Sequence, residues 1–195
     1  MTIQKHERRG RPRSFDSEAA VATAERMFRE RGYDAVGVAE IGKALGITPP
    51  SFYAAFGSKL GLFERAVAYY EAGDAAFFPA ALATPGPSLD AIERLMGDAA
   101  QAYAAQAGIA GCLVLDGTRG SGDAGAVAFT AARRCVSEDA VSARIARDHP
   151  EQAGALARLV LTALRGMSAS ARDGASEADL RAFARAAIRG IRAEL

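Results

Sequence analysis

The residues best suited to contact a ligand lie between positions 48 and 59, on one edge of a short predicted helix. Phe52 and Phe56 are four residues apart, so both face inward and leave small or hydroxyl-bearing residues outside. Serine and threonine hydroxyls can bond base edges or phosphates, and an alanine methyl can touch a thymine methyl in the major groove. The predicted DNA contacts are Thr48, Pro49, Ser51, Tyr53, Ala54 and, as a phosphate-neutralising residue, Lys59. The alternative is a small helical hairpin without a ligand.

Two short apolar segments, Val38–Leu45 and Pro49–Phe56, must position this edge. Gly46 suits the left-handed conformation that ends a helix, whereas Thr48 can cap the next helix and Pro49 fits its first turn. A turn this short makes the two helices cross steeply. Residues from about 37 to 56 therefore predict a helix-turn-helix.

A basic arm, residues 1–13, precedes the first predicted helix and is predicted to be disordered. Residues 1–14 contain five basic residues and one acidic residue, although the net charge of the whole chain is only +1. Arg9, Arg11 and Arg13 alternate with Gly10 and Pro12, a pattern that suits a narrow minor groove whose negative potential attracts guanidinium groups. The alternative is a generic basic tail that strengthens non-specific phosphate attraction.

The composition predicts an all-α protein. The chain has 195 residues, is 50% hydrophobic, is rich in alanine and lacks tryptophan. Apolar residues recur at helical spacing through about nine segments, with Ser58, Ser88 and Ser176 as predicted N-caps. The last two segments, residues 151–172 and 176–194, carry wide apolar stripes. These stripes can pair with those of a second copy in a four-helix bundle, or they can complete the core of one chain.

Several classes of protein are disfavoured by what the sequence contains. Cys112 and Cys135 are the only cysteines and His6 and His149 the only histidines, without metal-ligand spacing, so neither a metal nor another cofactor is predicted. An enzyme using Cys112 as nucleophile lacks a recognisable paired base. No apolar run is long enough to cross a membrane, and the reducing cytosol is the simplest compartment. A helical adapter that binds a protein partner stays open as an alternative.

One stretch of residues resembles a known family over about positions 14–74. The matching residues are Phe28, Gly32, Val38, Ile41, Ala44-Leu45-Gly46-Ile47, Phe52-Tyr53, Phe56-Gly57-Ser58-Lys59 and Leu62-Phe63. They resemble the N-terminal domain of TetR-type transcriptional regulators. The resemblance implies an all-helical homodimeric repressor with a DNA-binding head at residues 14–74 and an effector-binding and dimerisation domain at 75–195. Gly37, Pro49-Pro50 and Ala55 depart from frequent family choices, which leaves open the base sequence that is read.

The same resemblance implies a small-molecule effector that changes the spacing of two DNA-reading heads and so releases double-stranded operator DNA. The candidate pocket residues are Phe77, Phe78, Met96, Tyr103, Cys112 and Phe129, although most of them suit an ordinary core equally well. The segment Gly111-Cys112-Leu113 resembles the corresponding segment of some TetR-type regulators, in which the cysteine senses electrophiles or oxidants. In that hypothesis Cys112 is a thiolate of low pKa, whereas the alternative is a buried cysteine that acts as a small hydrophobe.

Overall fold

The computed structural model describes residues 17–104 and 108–195, and these residues form ten helices and no strand. The basic arm with Arg9, Arg11 and Arg13 lies outside the described residues. The helices are α1 (Ser17–Arg31), α2 (Val38–Leu45), α3 (Pro49–Phe56), α4 (Lys59–Ala72), α5 (Phe77–Leu82), α6 (Ser88–Tyr103), α7 (Leu113–Asp116), α8 (Ala124–Ile145), α9 (Ala153–Arg172) and α10 (Glu177–Ala193). The predicted all-α fold is confirmed.

Helices α1 to α3 form the N-terminal head, and its turn follows the predicted pattern. Gly46 has φ 66° and ends α2 in the left-handed conformation, and Pro49 occupies the first position of α3. The side chains of Phe28, Ile41 and Phe52 are fully buried between the three helices. Because the apolar faces of α2 and α3 are used in this core, the outer edge of α3 is left to solvent.

Helix α4 leaves the head and enters the rest of the chain, which we call the body (α5–α10). It begins at the predicted cap, where the Ser58 hydroxyl accepts a hydrogen bond of 2.9 Å from the Gly61 amide. The spacing of apolar residues predicts that this helix continues to about Ala76, but it ends four residues earlier, at Ala72. Its buried stripe includes Leu62 and Phe63 near the head and Tyr70 near the body.

Two local predictions about the body were wrong. The number of helices agrees with the predicted figure of about nine: the described residues form ten, including the separate helix α5 around Pro79. Ser88 is the first residue of α6 and not its cap; its amide donates to the Asp148 carboxylate. The composition predicts a helix over Ala126–Ala146, but α8 begins two residues earlier, at Ala124, because Asp123 caps it by accepting from the Ala126 amide.

The core of the body is built from α6, α8, α9 and α10. Its fully or almost fully buried side chains are Ile92, Leu95, Met96, Ile145, Val160, Leu164, Met167, Leu180, Ile188 and Ile191. The predicted cap of α10 is confirmed as a capping box, in which Ser176 and Asp179 satisfy each other's amides. Leu159 on α9 and Phe183 on α10 are exposed, so both helices also present apolar surface outwards.

Candidate nucleic-acid interface and ligand cavity

The outer edge of α3 carries the residues predicted to contact DNA. Pro49, Ser51, Tyr53 and Ala54 are exposed on this short helix, and Thr48 is exposed at its start. Tyr53 is 53% exposed, although its ring edge also contacts buried Phe52 at a centroid distance of 5.3 Å. The edge is therefore narrow and rich in hydroxyl groups, which suits insertion into a groove.

Thr48 occupies the capping position of α3, but its side chain does not cap the helix. Its backbone is extended, and its hydroxyl lies 3.0 Å from the Ser51 hydroxyl instead of bonding an amide. The predicted position of the cap is therefore confirmed, whereas the predicted cap bond is absent. The paired hydroxyls of Thr48 and Ser51 present a hydrogen-bonding group at the exposed end of the helix.

The structure places Lys59 at the junction of head and body. Its ammonium nitrogen lies 4.1 Å from the centroid of the Tyr33 ring, and the residue is half-buried. Burial lowers the pKa of Lys59, while the nearby carboxylates of Asp34 and Asp123 oppose this shift. The ammonium is thus engaged within the protein, in contrast to the exposed residues of the α3 edge.

A cavity of about 630 Å³ lies in the body, walled by α4, α5, α8, α9 and the segment around α7. This volume is within the range of small-molecule sites, roughly 300–1,000 Å³. Most of its wall is apolar. The lining residues are Tyr70, Glu71, Ala75, Phe77, Phe78, Pro79, Leu82, Ala83, Tyr103, Cys112, Val114, Leu115, Arg133, Val136, Ser137, Ala140, Ala143, Arg144, Arg147, Leu161 and Leu164.

Four of the six predicted pocket residues line this cavity: Phe77, Phe78, Tyr103 and Cys112. Met96 does not, because it is fully buried in the core of the body. Phe129 does not either, since it lies near Phe63 of α4 with ring centroids 6.2 Å apart.

Sequence reasoning missed the polar part of the cavity wall, above all the stripe on α8. Arg133, Ser137, Ala140 and Arg144 recur at three- and four-residue spacing, so they share one face of the helix. This spacing was visible in the sequence. The sequence does not show, however, that this face of α8 lies opposite α5 rather than in solvent.

The environment of Cys112 contradicts the hypothesis of a low-pKa thiolate. Cys112 is 7% exposed, and burial raises the pKa of its thiol. Its amide donates a hydrogen bond of 2.8 Å to the Ser168 hydroxyl, which fixes the backbone beside the cavity. The second cysteine, Cys135, is exposed on α8. Cys112 is therefore protonated at neutral pH and acts as part of the apolar wall.

A loop of the body, residues 117–123, is hydrogen-bonded to the head; we call it the junction loop. The Tyr33 amide donates to the Gly117 carbonyl at 2.7 Å, and the Tyr33 hydroxyl donates to the Asp123 carboxylate at 3.0 Å. The Ser121 hydroxyl donates to Asp34 at 2.6 Å and lowers the pKa of that carboxyl group. The turn after α1 is thus tied to the chain segment that follows the cavity wall.

Arginines add a second tie between α1 and the cavity wall. Arg29 Nε donates to the Gly111 carbonyl at 3.2 Å, and Arg172 Nη1 donates to the Arg29 carbonyl at 2.8 Å. Gly111 has φ 81°, and a Cβ at this position would lie 2.9 Å from the Arg172 side chain. Gly111 directly precedes Cys112, so a displacement of the wall would act on the end of α1.

Residues 17–104 and 108–195 contain no cluster of three or more histidine, cysteine and acidic side chains arranged to hold a metal ion. Within the same ranges, no helix combines the length and apolar character needed to cross a membrane.

Comparison with known proteins identifies the family. The pattern for bacterial regulatory proteins of the tetR family matches residues 20–66. The HTH-type transcriptional repressor BdcR of Escherichia coli (strain K12) is 38% identical over 183 residues, covering 94% of this chain and 92% of BdcR. ComR of the same strain, also an HTH-type transcriptional repressor, is 32% identical over 178 residues, covering 86% of this chain and 85% of ComR.

A solved structure extends the similarity to the whole fold. The TetR family transcriptional regulator CifR, solved as a cysteine mutant with 26-base-pair double-strand operator DNA, superposes with a TM-score of 0.83 at 29% identity. The match covers 92% of this chain and 98% of that chain. With its helix-turn-helix head, its helical body and two similar repressors along most of its length, this chain belongs to the TetR family of bacterial DNA-binding transcriptional regulators.

Proposed function

We propose that this regulator is a cytoplasmic homodimeric repressor that acts by binding rather than by catalysis. In this proposal residues 14–74 bind double-stranded operator DNA through the α3 edge, and residues 75–195 bind a small-molecule effector and form the dimer. The observation that carries the proposal is the path of α4. Leu62 and Phe63 near its start are buried against the head, while Tyr70 and Glu71 near its end line the cavity. A molecule in the cavity therefore acts on the helix that carries the head.

Release requires that the two heads change their separation. Heads that read successive major grooves must lie one helical turn of DNA apart, roughly 34–36 Å. A ligand shifts the population between two arrangements only by its differential affinity for them, so the effector must fit the DNA-incompetent arrangement better. The exposed apolar side chains of Leu159 and Phe183 on α9 and α10 support these two helices as the dimer surface.

An electrophoretic mobility shift tests DNA binding by the full chain. The probe is the DNA upstream of the regulator's own gene and its neighbours, at about 50 and about 200 mM salt. We expect retardation that survives excess unrelated competitor DNA and weakens steeply at the higher salt. Retardation that the excess unrelated DNA abolishes would contradict the proposal.

The same assay tests the basic arm. Deleting residues 1–13, which carry Arg9, Arg11 and Arg13, is expected to weaken binding and flatten its salt dependence, because fewer counterions are then released from the DNA. Replacing the three arginines by lysine is the matched control, since it keeps the charge but not the guanidinium groups. Unchanged affinity after the deletion would reject a role for the arm.

The junction loop gives a further prediction. The double variant Tyr33→Phe/Ser121→Ala removes two hydroxyl donors without changing any charge. The two lost bonds have a combined net worth of about 1–3 kcal/mol, so the head orients less uniquely and operator affinity should fall roughly 5- to 150-fold.

Its control is Tyr69→Phe/Ser170→Ala, which removes the same two kinds of hydroxyl group from exposed positions on α4 and α9. Fluorescence anisotropy with labelled operator measures both double variants. Equal affinities for the two would show that the junction loop does not orient the head.

A further inference from the structure

We propose that the effector is a lipophilic anion: an elongated apolar molecule with a single carboxylate at one end, bound beside Arg144 and Arg147. This inference rests on the proposed function, because it names the ligand class of the regulatory cavity. It follows from the shape of the cavity, from the distribution of charge on its wall and from a buried arginine there that forms no ion pair with any described residue.

The cavity is elongated along α8. Its lining extends along that helix from Arg133 to Arg144, which are eleven residues apart and therefore about 16 Å apart along the helix axis. Phe77 and Phe78 of α5 and Leu164 of α9 contribute apolar surface to the wall. A straight or slightly bent hydrocarbon body fits this space better than a compact polar molecule.

Positive charge is concentrated at one end of this cavity. Among the described residues, the wall contains three arginines and a single carboxylate, that of Glu71. Arg133 is neutralised, because its Nε donates to Glu71 Oε1 at 2.9 Å and its Nη2 donates to the other carboxylate oxygen. Arg144 and Arg147 lie at the opposite end, and neither forms an ion pair with a carboxylate of the described residues.

Arg144 is held rigidly by neutral groups. Its Nε donates to the Leu82 carbonyl at 3.1 Å, and its Nη2 donates to carbonyls of the following loop, with Gly86 the nearest at 2.8 Å. The third nitrogen, Nη1, is buried and has no hydrogen-bond partner in the part of the chain that the structure describes. Arg144 itself is only 5% exposed. Carbonyl dipoles satisfy the donors of Nε and Nη2 without removing the charge of the side chain, and a buried donor without an acceptor, such as Nη1, is costly.

The carboxylate of Asp148 compensates the charge of Arg144 only in part. Asp148 accepts a hydrogen bond from the Ser88 amide, which is the main reason that its pKa is low. Arg144 contributes less to that shift, and the two side chains do not form an ion pair. A carboxylate that reaches this end gains the attraction of Arg144 and of Arg147, which is exposed. A guanidinium group matches a carboxylate in shape and can donate two parallel bonds to it.

The inner wall excludes a second charge. Burial raises the pKa of Tyr70 and Tyr103 well above the ordinary value, and it raises the pKa of the Cys112 thiol as well. All three groups are therefore neutral at physiological pH. An ion placed against them would lose its hydration without gaining a counterion, which restricts the ligand to one charge at the arginine end.

Isothermal titration calorimetry with three amphiphiles of equal chain length tests the inference. The probes are decanoate, 1-decanol and decyltrimethylammonium, each below its micelle concentration, with the full-length dimer. We expect decanoate to bind at least about tenfold more tightly than the other two, since a charge-assisted hydrogen bond is worth more than a neutral one. Equal or tighter binding of the alcohol or the ammonium ion, or no binding of decanoate, would overturn the inference.

A charge reversal locates the carboxylate. Arg147→Glu changes an exposed side chain, so folding should be unaffected; we expect decanoate to bind about tenfold more weakly and decyltrimethylammonium more tightly. Arg94→Glu on the exposed face of α6 makes the same change in net charge away from the cavity and should alter neither affinity. Unchanged decanoate affinity in Arg147→Glu would overturn the inference.

The mobility shift without any ligand separates this inference from the proposed function. If the protein binds operator specifically but prefers the ammonium ion, the proposed function stands and the proposal of an anionic effector is wrong. If the protein binds decanoate through Arg147 but does not bind operator, the proposed function is wrong instead.

Discussion

Replacing Phe63 with alanine should lower the free energy of unfolding by about 3–5 kcal/mol. Phe63 is fully buried on α4, where its ring meets Phe28 edge-on at 5.1 Å and Tyr33 at 5.0 Å between centroids. Phe129 of α8 also lies close to Phe63, with ring centroids 6.2 Å apart. The substitution therefore leaves a void where head, linking helix and body meet, and these rigid rings cannot readily collapse into it.

Urea unfolding followed by circular dichroism measures this loss at a fixed protein concentration, which matters because dimerisation contributes to stability. Tyr69→Ala on the same helix is the control; its side chain is 41% exposed, so its removal should cost less than about 1 kcal/mol. If the two variants unfold at similar urea concentrations, Phe63 does not join the head to the body.

The features that could be predicted from sequence are those that neighbouring residues decide. Gly46 ends α2 because a residue that tolerates positive φ lets its own amide bond the last carbonyls of the helix. Ser58 and Ser176 start helices because their hydroxyls reach the amides three residues further on. The exposed edge of α3 also follows from local spacing, because burial of both Phe52 and Phe56 determines which face of the helix points outward.

The features that could not be predicted depend on residues distant in sequence. Ser88 looks like a cap, but Asp148, sixty residues away, accepts the hydrogen bond from its amide. The contact of the Lys59 ammonium with the Tyr33 ring could not be predicted either, because the fold alone brings these two residues together; its contact with a phosphate stays a prediction. The basic end of the cavity was missed because Arg144 resembles any solvated arginine of an amphipathic helix until α5 covers it.

These examples also explain why the two sites differ in how well sequence defines them. The α3 edge is a surface of one helix, so helical periodicity alone specifies its members. The cavity is an enclosure between several helices, and its members are selected by packing. Phe77, Phe78 and Met96 were predicted together, as large apolar residues of the helices around the expected pocket. Phe77 and Phe78 line the cavity, whereas Met96 belongs to the solid core.

A glutamate in place of Ala54 should abolish specific operator binding, with a loss of at least about 100-fold, while the fold is preserved. Ala54 is exposed on α3, so the new carboxylate needs no internal space. If the α3 edge enters the major groove, this charge lies among phosphates on both sides, and like-charge juxtaposition in a complex costs several kcal/mol. At about 1.4 kcal/mol for each factor of ten, a penalty of roughly 3 kcal/mol gives the stated loss.

Ala68→Glu is the matched control, because Ala68 is an exposed alanine of α4 outside the α3 edge and the change in net charge is the same. Fluorescence anisotropy at low salt measures operator affinity, and thermal unfolding checks that both variants are folded. The control should lose no more than a few-fold, the amount expected from a more negative protein at a distance. Equal losses in the two variants would mean that overall charge, rather than the α3 edge in the groove, governs DNA binding, and the assignment of α3 as the reading helix would then be wrong.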